Sequence, residues 1–227
     1  MRYSLREDLS FCRIQDHLIF LDIRRDLYFR VSHAMEQSLL SYMESGVHHE
    51  VDVSALVAHN ILVETSDVTP SMLMATIKGP SSSAMEQSKP LGKLQLRESL
   101  EVFTDVYMAR RCLRTYKLKE VLGMTASYRR VKIAQRPATV SPEHLQKLIV
   151  DAAAAFRRTR LYVPVETCCL LDSIAMVGFL AKRGTYASIV FGVIGDPFSA
   201  HCWVQAEDVV LNDTVGNANA HTPILVL

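Results

Sequence analysis

One cysteine, one histidine and one aspartate near the C-terminal end could do chemistry together: Cys169, His201 and Asp213. A thiol becomes a strong nucleophile when a base takes its proton. The base works best when a carboxylate fixes its tautomer and stabilises its charged form. Nucleophile, base and carboxylate in that order suit acyl chemistry, either cleavage or transfer. Thr167 can cap a helix running through Cys169, Leu170, Ile174, Val177 and Leu180 to Gly184. That cap places Cys169 at the second helical position, where unpaired backbone N–H groups and the helix dipole favour a thiolate. Cys168 is a rival nucleophile, and helical phase does not separate the two.

The histidine and the aspartate can be tested against each other. If the chain reverses at Ala206-Glu207-Asp208, a hairpin centred on Glu207 pairs Val204 with Val210, Cys202 with Asn212 and His201 with Asp213. Directly opposed residues of an antiparallel pair have Cβ atoms about 4.5–5.5 Å apart, close enough for an imidazole to meet a carboxylate. Other roles are open to each residue: a small apolar core side chain for the cysteine, a satisfied structural ring for the histidine, a strand end for the aspartate. No Cys-x-x-Cys spacing supports a zinc site, and no glycine loop cradles a phosphate, so neither metal nor cofactor is expected.

Other elements must position these groups. His17–Asp22 and Leu27–Val31 read as two strands of a hairpin around the polar turn Ile23–Asp26. Ser32 can cap a helix with Met35, Leu39, Leu40 and Met43 on one face and Gly46 at its end. Val53, Leu56, Val57 and Ile61 point to a short helix, with an extended finish at Ile61–Val63. The Ser-, Pro-, Gly- and Lys-rich stretch around 79–93 reads as a linker, dividing an N-terminal unit (1–78) from a C-terminal one (94–227). Beyond it, Leu96, Leu100, Phe103, Val106, Tyr107 and Leu113 fall at helical spacing. Arg110, Arg111, Arg114, Lys117 and Lys119 cluster towards the end of that stretch. Ser141-Pro142-Glu143 opens a further helix through the Ala152–Ala155 run. Strand candidates follow at Tyr186–Val193, His201–Gln205 and Val209–Asp213. The fold class is α+β.

The net charge of +1 hides an uneven distribution. Residues 1–80 carry 7 Lys/Arg against 11 Asp/Glu, residues 81–160 carry 16 against 7, and residues 161–227 carry 2 against 6. The acidic N-terminal third argues against a phosphate-binding face there, so no nucleic-acid partner is expected. The basic middle is either a solvated face of long helices or a docking surface for an acidic partner. An odd set of five cysteines behind a charged N-terminus argues for free thiols in a reducing cytoplasm. No apolar run approaches the roughly 20 residues that span a bilayer, so no membrane is expected.

Several segments together resemble one family. They are Thr167–Ser173 through Gly184, Ile189–Val193, Asp196-Pro197-Phe198-Ser199-Ala200-His201-Cys202-Trp203-Val204, and Leu211-Asn212-Asp213. This pattern is similar to the C-terminal half of lasso-peptide maturation B proteins, leader peptidases with a transglutaminase-like, papain-related core. The resemblance implies a papain/transglutaminase-like domain of helices and a small antiparallel sheet, with Cys169 as nucleophile, His201 as base and Asp213 as the orienting carboxylate. The first third resembles the small winged-helix-like recognition elements of peptide-natural-product pathways. There a precursor leader adds as a strand and packs against a helix. Carried over, the leader-binding residues would be Tyr28, Phe29, Arg30 and Val31 with Val53, Leu56 and Val57. The partners implied are a precursor peptide and an ATP-dependent, asparagine-synthetase-like lasso cyclase. The rivals are a transglutaminase-like acyltransferase on a peptide and a non-catalytic winged-helix binding protein.

Overall fold

Alternating apolar residues build the first sheet, and both of its faces are dry. The computed structural model describes residues 2–45, 51–66, 76–87, 95–135 and 141–227. After β1 (Tyr3–Leu5), strands β2 (Leu9–Ile14), β3 (His17–Asp22) and β4 (Leu27–Phe29) form an antiparallel sheet in that order. Phe11, Leu18 and Phe20 point to one side, where they join Leu39, Leu56, Ile61 and Leu62 in an N-terminal core. Cys12, Ile19 and Leu21 point to the other side and belong to the core of the C-terminal half. The period of two along each strand produces this split. Burial pushes the Cys12 thiol up to about 12, which leaves it an inert packing group.

Helix α1 (His33–Ser45) starts as its sequence dictates, with Ser32 Oγ accepting the Met35 N–H at 3.4 Å. Gly46, the expected stop, lies outside the described residues. Glu36 on α1 is almost wholly buried and accepts the Leu18 N–H at 2.9 Å, which locks the helix to β3. Helix α2 (Ser54–Ala58) and β5 (Leu62–Glu64), which pairs with β1, complete this unit.

The polar stretch that follows is partly built into the second half. Strand β6 (Ser82–Ser83) pairs in parallel with a strand more than 120 residues later in the chain. Helix α3 (Leu96–Thr115) buries Val102, Val106 and Ala109, while Leu96, Leu100 and Tyr107 are exposed. The core stripe is thus narrower and rotated from the one the spacing favoured. The chain then turns at extended Tyr116 and Lys117 and enters α4 (Leu118–Ala134), a helix the basic run disguised as the end of α3. Glu120 accepts the Lys117 N–H at 2.9 Å and fixes that new start. Helix α5 (Pro142–Arg160) begins at Ser141 as expected, its Oγ accepting the His144 N–H at 3.4 Å.

Helix α6 (Cys169–Ala181) is the centre of this half. Leu171, Ile174, Ala175, Met176, Val177, Phe179, Leu180 and Ala181 are all buried, so the helix is apolar all round and packs on α3, α4, α5 and the sheet. Strands β7 (Ser188–Ile194), β8 (Ser199–Ala206) and β9 (Val209–Val210), helix α7 (Val215–Ala220) and β10 (Thr222–Val226) finish the chain. The sheet order is β10-β7-β8-β9-β6, antiparallel except at β6. Among the described residues no helix is long and apolar enough to cross a membrane.

Candidate active site

Cys169 stands one position earlier in its helix than Thr167 capping would put it. Cys168, in extended conformation, is the N-cap, with no side-chain cap hydrogen bond, and Cys169 is the first helical residue. Cys168 is exposed, while Cys169 is half-buried. The first free N–H groups of α6 and its dipole both act at Cys169. Arg160 braces this start: it pairs with Asp172 on the first turn at 2.6 Å and donates to the carbonyls of Val163 and Glu166 in the preceding loop.

His201 and Asp213 meet, although not through the expected register. Gln205 faces Val210 and Ala206 faces Val209, one residue out from a hairpin centred on Glu207. The turn holds two residues, Glu207 and Asp208, with Glu207 at φ 53°, a conformation that suits a tight hairpin. In that register Asp213 would not oppose His201. The ladder stops at Val210, however, and the chain swings away. Asn212 accepts the Val204 N–H at 2.7 Å and so captures the departing strand. Asp213 Oδ2 then reaches His201 Nε2 at 2.6 Å. The carboxylate also accepts the Thr214 N–H at 2.7 Å and the Asn217 amide at 2.8 Å. Ser83 of β6 donates its hydroxyl to the Asp213 carbonyl, fixing the backbone beneath the carboxylate.

With Nε2 committed to Asp213, the other ring nitrogen of His201 is left for the Cys169 sulfur. The thiol is held down to about 4. The hydrogen bond from the neighbouring Cys202 thiol contributes most, followed by that from His201, against the opposing effect of burial. His201 is raised, first by its bond to the Cys169 sulfur and also by Asp213. The two shifts describe one thiolate–imidazolium pair. The hydrogen bond to the same thiolate, then burial, push Cys202 far up, so it stays protonated and can donate.

Spacing gave no part to several groups that complete the site. Cys202 lies 3.8 Å from Ser173 Oγ, which accepts the Asn212 amide at 3.0 Å. His221, almost buried, lies 5.3 Å from the His201 ring, centre to centre, and donates from Nδ1 to the Asn217 carbonyl at 2.8 Å. Gly192, which faces His201 across the β7–β8 ladder, leaves room for both rings. A Cβ there would lie 2.7 Å from the Trp203 ring and 2.9 Å from His221. The glycine in the Phe191-Gly192-Val193 strand was the one visible signal of this close approach.

The family description "Transglutaminase-like superfamily" matches residues 110–226, just over half of the chain. The chain belongs to the transglutaminase-like superfamily. No curated protein and no solved structure matches it. The matched segment of the transglutaminase-like domain begins inside α3 and contains Cys169, His201 and Asp213.

These three residues open on a cleft of about 410 Å³, whose other walls include Met85, Phe156, Leu161 and the end of α5. The side chains of His201 and Asp213 keep 23 % and 15 % of their surface exposed, so water reaches the pair. Among the described residues no group of acidic, histidine and cysteine side chains could hold a metal ion.

The residues expected to hold a leader are not brought together on one surface. Phe29, Arg30 and Val31 line a second groove, of about 560 Å³, with Met35 of α1 and His59–Ile61. Val53 and Leu56 are buried in the N-terminal core, because α2 turns its apolar side inward, and Val57 is exposed. Tyr28 points the other way from Phe29. It packs on the C-terminal core, its ring 5.7 Å from that of Phe198 in the turn before His201. Burial pushes its hydroxyl well above the usual phenol range.

Proposed function

We propose that the chain is a cysteine endopeptidase that removes the leader from a ribosomally synthesised lasso-peptide precursor. The observation that carries the catalytic part is the convergence of Cys169, His201 and Asp213 in an open cleft, with the thiol held down to about 4. The Cys169 thiolate attacks the carbonyl carbon at the leader–core junction. The His201 imidazolium gives its proton to the leaving amine as the C–N bond breaks, and a thioester remains. Water then attacks the thioester while neutral His201 takes its proton. The acid leaves and the thiolate–imidazolium pair is restored. The unpaired N–H of Cys169 at the helix start is placed to donate to the developing oxyanion.

Support for the capture part is the groove beside β4. Among the described residues β4 has β3 as its one ladder neighbour, which leaves its outer edge for a peptide strand. Phe29, Arg30 and Val31 on that side would set the register, and holding the leader there raises the local concentration of the scissile bond. The freed core amine is the group an ATP-dependent, asparagine-synthetase-like cyclase would join to an Asp or Glu side chain.

The open site favours water over an amine as the second acceptor. Incubation with a lasso precursor peptide, followed by mass spectrometry, tests the whole proposal. The native chain and Cys168→Ala should release leader and core, and Cys169→Ala should lose at least about 10³-fold in rate. Retained cleavage in Cys169→Ala would sink the mechanism.

A further inference from the structure

The cleft beside Cys169 contains an arginine, Arg158, that makes no ion pair among the described residues. Arg157, Arg158 and Arg160 all reach it from the last turn of α5. Two of the three are committed. Arg157 donates to the Ala84 carbonyl at 2.8 Å, and Arg160 is spent on Asp172 and two carbonyls. Arg158 has no such engagement among the described residues, and its Nε is shielded from water without a hydrogen-bond partner. The carboxylates that line the cleft are Asp172 and Asp213, and each already has its partner in Arg160 or in His201 and Asn217.

A guanidinium that lines a cleft and makes no ion pair among the described residues can meet an anionic ligand through its terminal amino groups, while its shielded Nε stays out of reach. The flat fork of an arginine matches a carboxylate with two parallel bonds, and the nearby Arg157 adds positive field. We propose that Arg158 forms a carboxylate-binding subsite next to the nucleophile and that it takes an acidic side chain of the peptide substrate close to the scissile bond. The assignment of that carboxylate to a substrate side chain rests on the peptidase reading above. The subsite itself does not.

Two thiol reagents of nearly equal size separate these questions. In a Cys168→Ala background, Cys169 is alkylated with anionic iodoacetate and with neutral iodoacetamide, and the rates are read by peptide mapping. Arg158→Gln should slow iodoacetate about fivefold, the scale of one short-range charge at a wet site, and leave iodoacetamide within about twofold. The iodoacetamide rate also reports that the variant has folded. Arg158→Lys keeps the charge and should keep most of the preference, and Arg111→Gln, on exposed α3 surface, should change neither rate. An unchanged iodoacetate-to-iodoacetamide ratio in Arg158→Gln overturns the subsite. On a precursor that the native chain cuts, single Asp→Asn and Glu→Gln changes near the junction should slow the native chain at one position and leave Arg158→Gln indifferent there. If every such change is neutral, the side-chain assignment is wrong even where the reagent preference stands. If the precursor is not cut at all, the peptidase reading fails while the reagent ratio still decides the subsite.

Discussion

The two larger sheets among the described residues handle their polar groups in opposite ways. The N-terminal sheet is apolar on both faces, with Phe11, Leu18 and Phe20 on one side and Cys12, Ile19 and Leu21 on the other. Its edge strands are β2 and β4, and the groove lined by Phe29, Arg30 and Val31 runs beside β4. The C-terminal sheet gathers polar side chains at one end of β8 and satisfies them in a chain of bonds from Ser83 through Asp213 to His201. An apolar sheet with a free edge offers recognition through main-chain bonds. A sheet end crowded with oriented donors and acceptors offers fixed charge. The proposed capture and the proposed chemistry therefore occupy separate places, joined where Tyr28 of β4 meets Phe198 before β8.

Substitutions sharpen this contrast by what they change. The largest expected effect after loss of the nucleophile itself is Asp213→Asn. It replaces the carboxylate that orients His201 with a neutral amide and should lower turnover by roughly 10³-fold or more on any peptide, with or without a leader. A steady-state assay on long and short substrates would show equal losses. A loss confined to the long substrate would break the division of labour.

Acidity is the next lever. The Cys169 thiolate should persist as pH falls until about 4, so the alkylation rate should have its midpoint there. Towards higher pH, cleavage should decline as His201 loses its proton, above the usual histidine range because its value is raised. The window for cleavage thus lies between the lowered thiol and the raised imidazole. An alkylation midpoint near 9, that of an ordinary thiol, would remove the ion pair from the account.

On the N-terminal side, Arg30→Pro removes one backbone donor beside β4. Loss of one such bond should weaken capture of the full precursor about three- to tenfold, seen in KM, while a peptide that lacks the leader is cut at the native rate. The smallest effect expected on chemistry, though not on folding, is at Gly192. Gly192→Ala forces a methyl into Trp203 and His221 and should cost about 1–3 kcal/mol in denaturant unfolding. The exposed Gly123→Ala on α4 meets nothing within 4 Å and should gain up to about 1 kcal/mol.

Local signals were legible where a single side chain decides the outcome. Ser32 and Ser141 announce α1 and α5, and the polar turn at Ile23–Asp26 announces the β3–β4 hairpin. Signals failed where the decision belongs to a distant partner. The run from Leu96 to Ala134 has no glycine or proline at the α3–α4 corner, so only tertiary packing and the Glu120 bond show that two helices exist. The hairpin after β8 slipped by one residue because Glu207 takes a positive φ that a side chain other than glycine does not advertise. The triad survived that slip because Asn212 and Ser83, not strand register, deliver Asp213 to its histidine. The resemblance grouped Tyr28 with Phe29 as leader-binding, whereas the fold packs Tyr28 on the C-terminal core and Phe29 on the N-terminal one, because successive strand residues face opposite sides.

Strand β6 also says where this chain can be divided. Residues 76–87 lie before the helices of the C-terminal half, yet they are stitched to the far end of the sequence. Gln205 donates to the Lys78 carbonyl, Lys78 pairs with Asp208, and Ala84 bonds to Val210. Two separately made pieces, joined at position 70, would each keep their own stitches. The same experiment with the break at position 90 would leave Ser83 on the wrong piece and the aspartate unheld. By shared strands, the C-terminal sheet begins at β6.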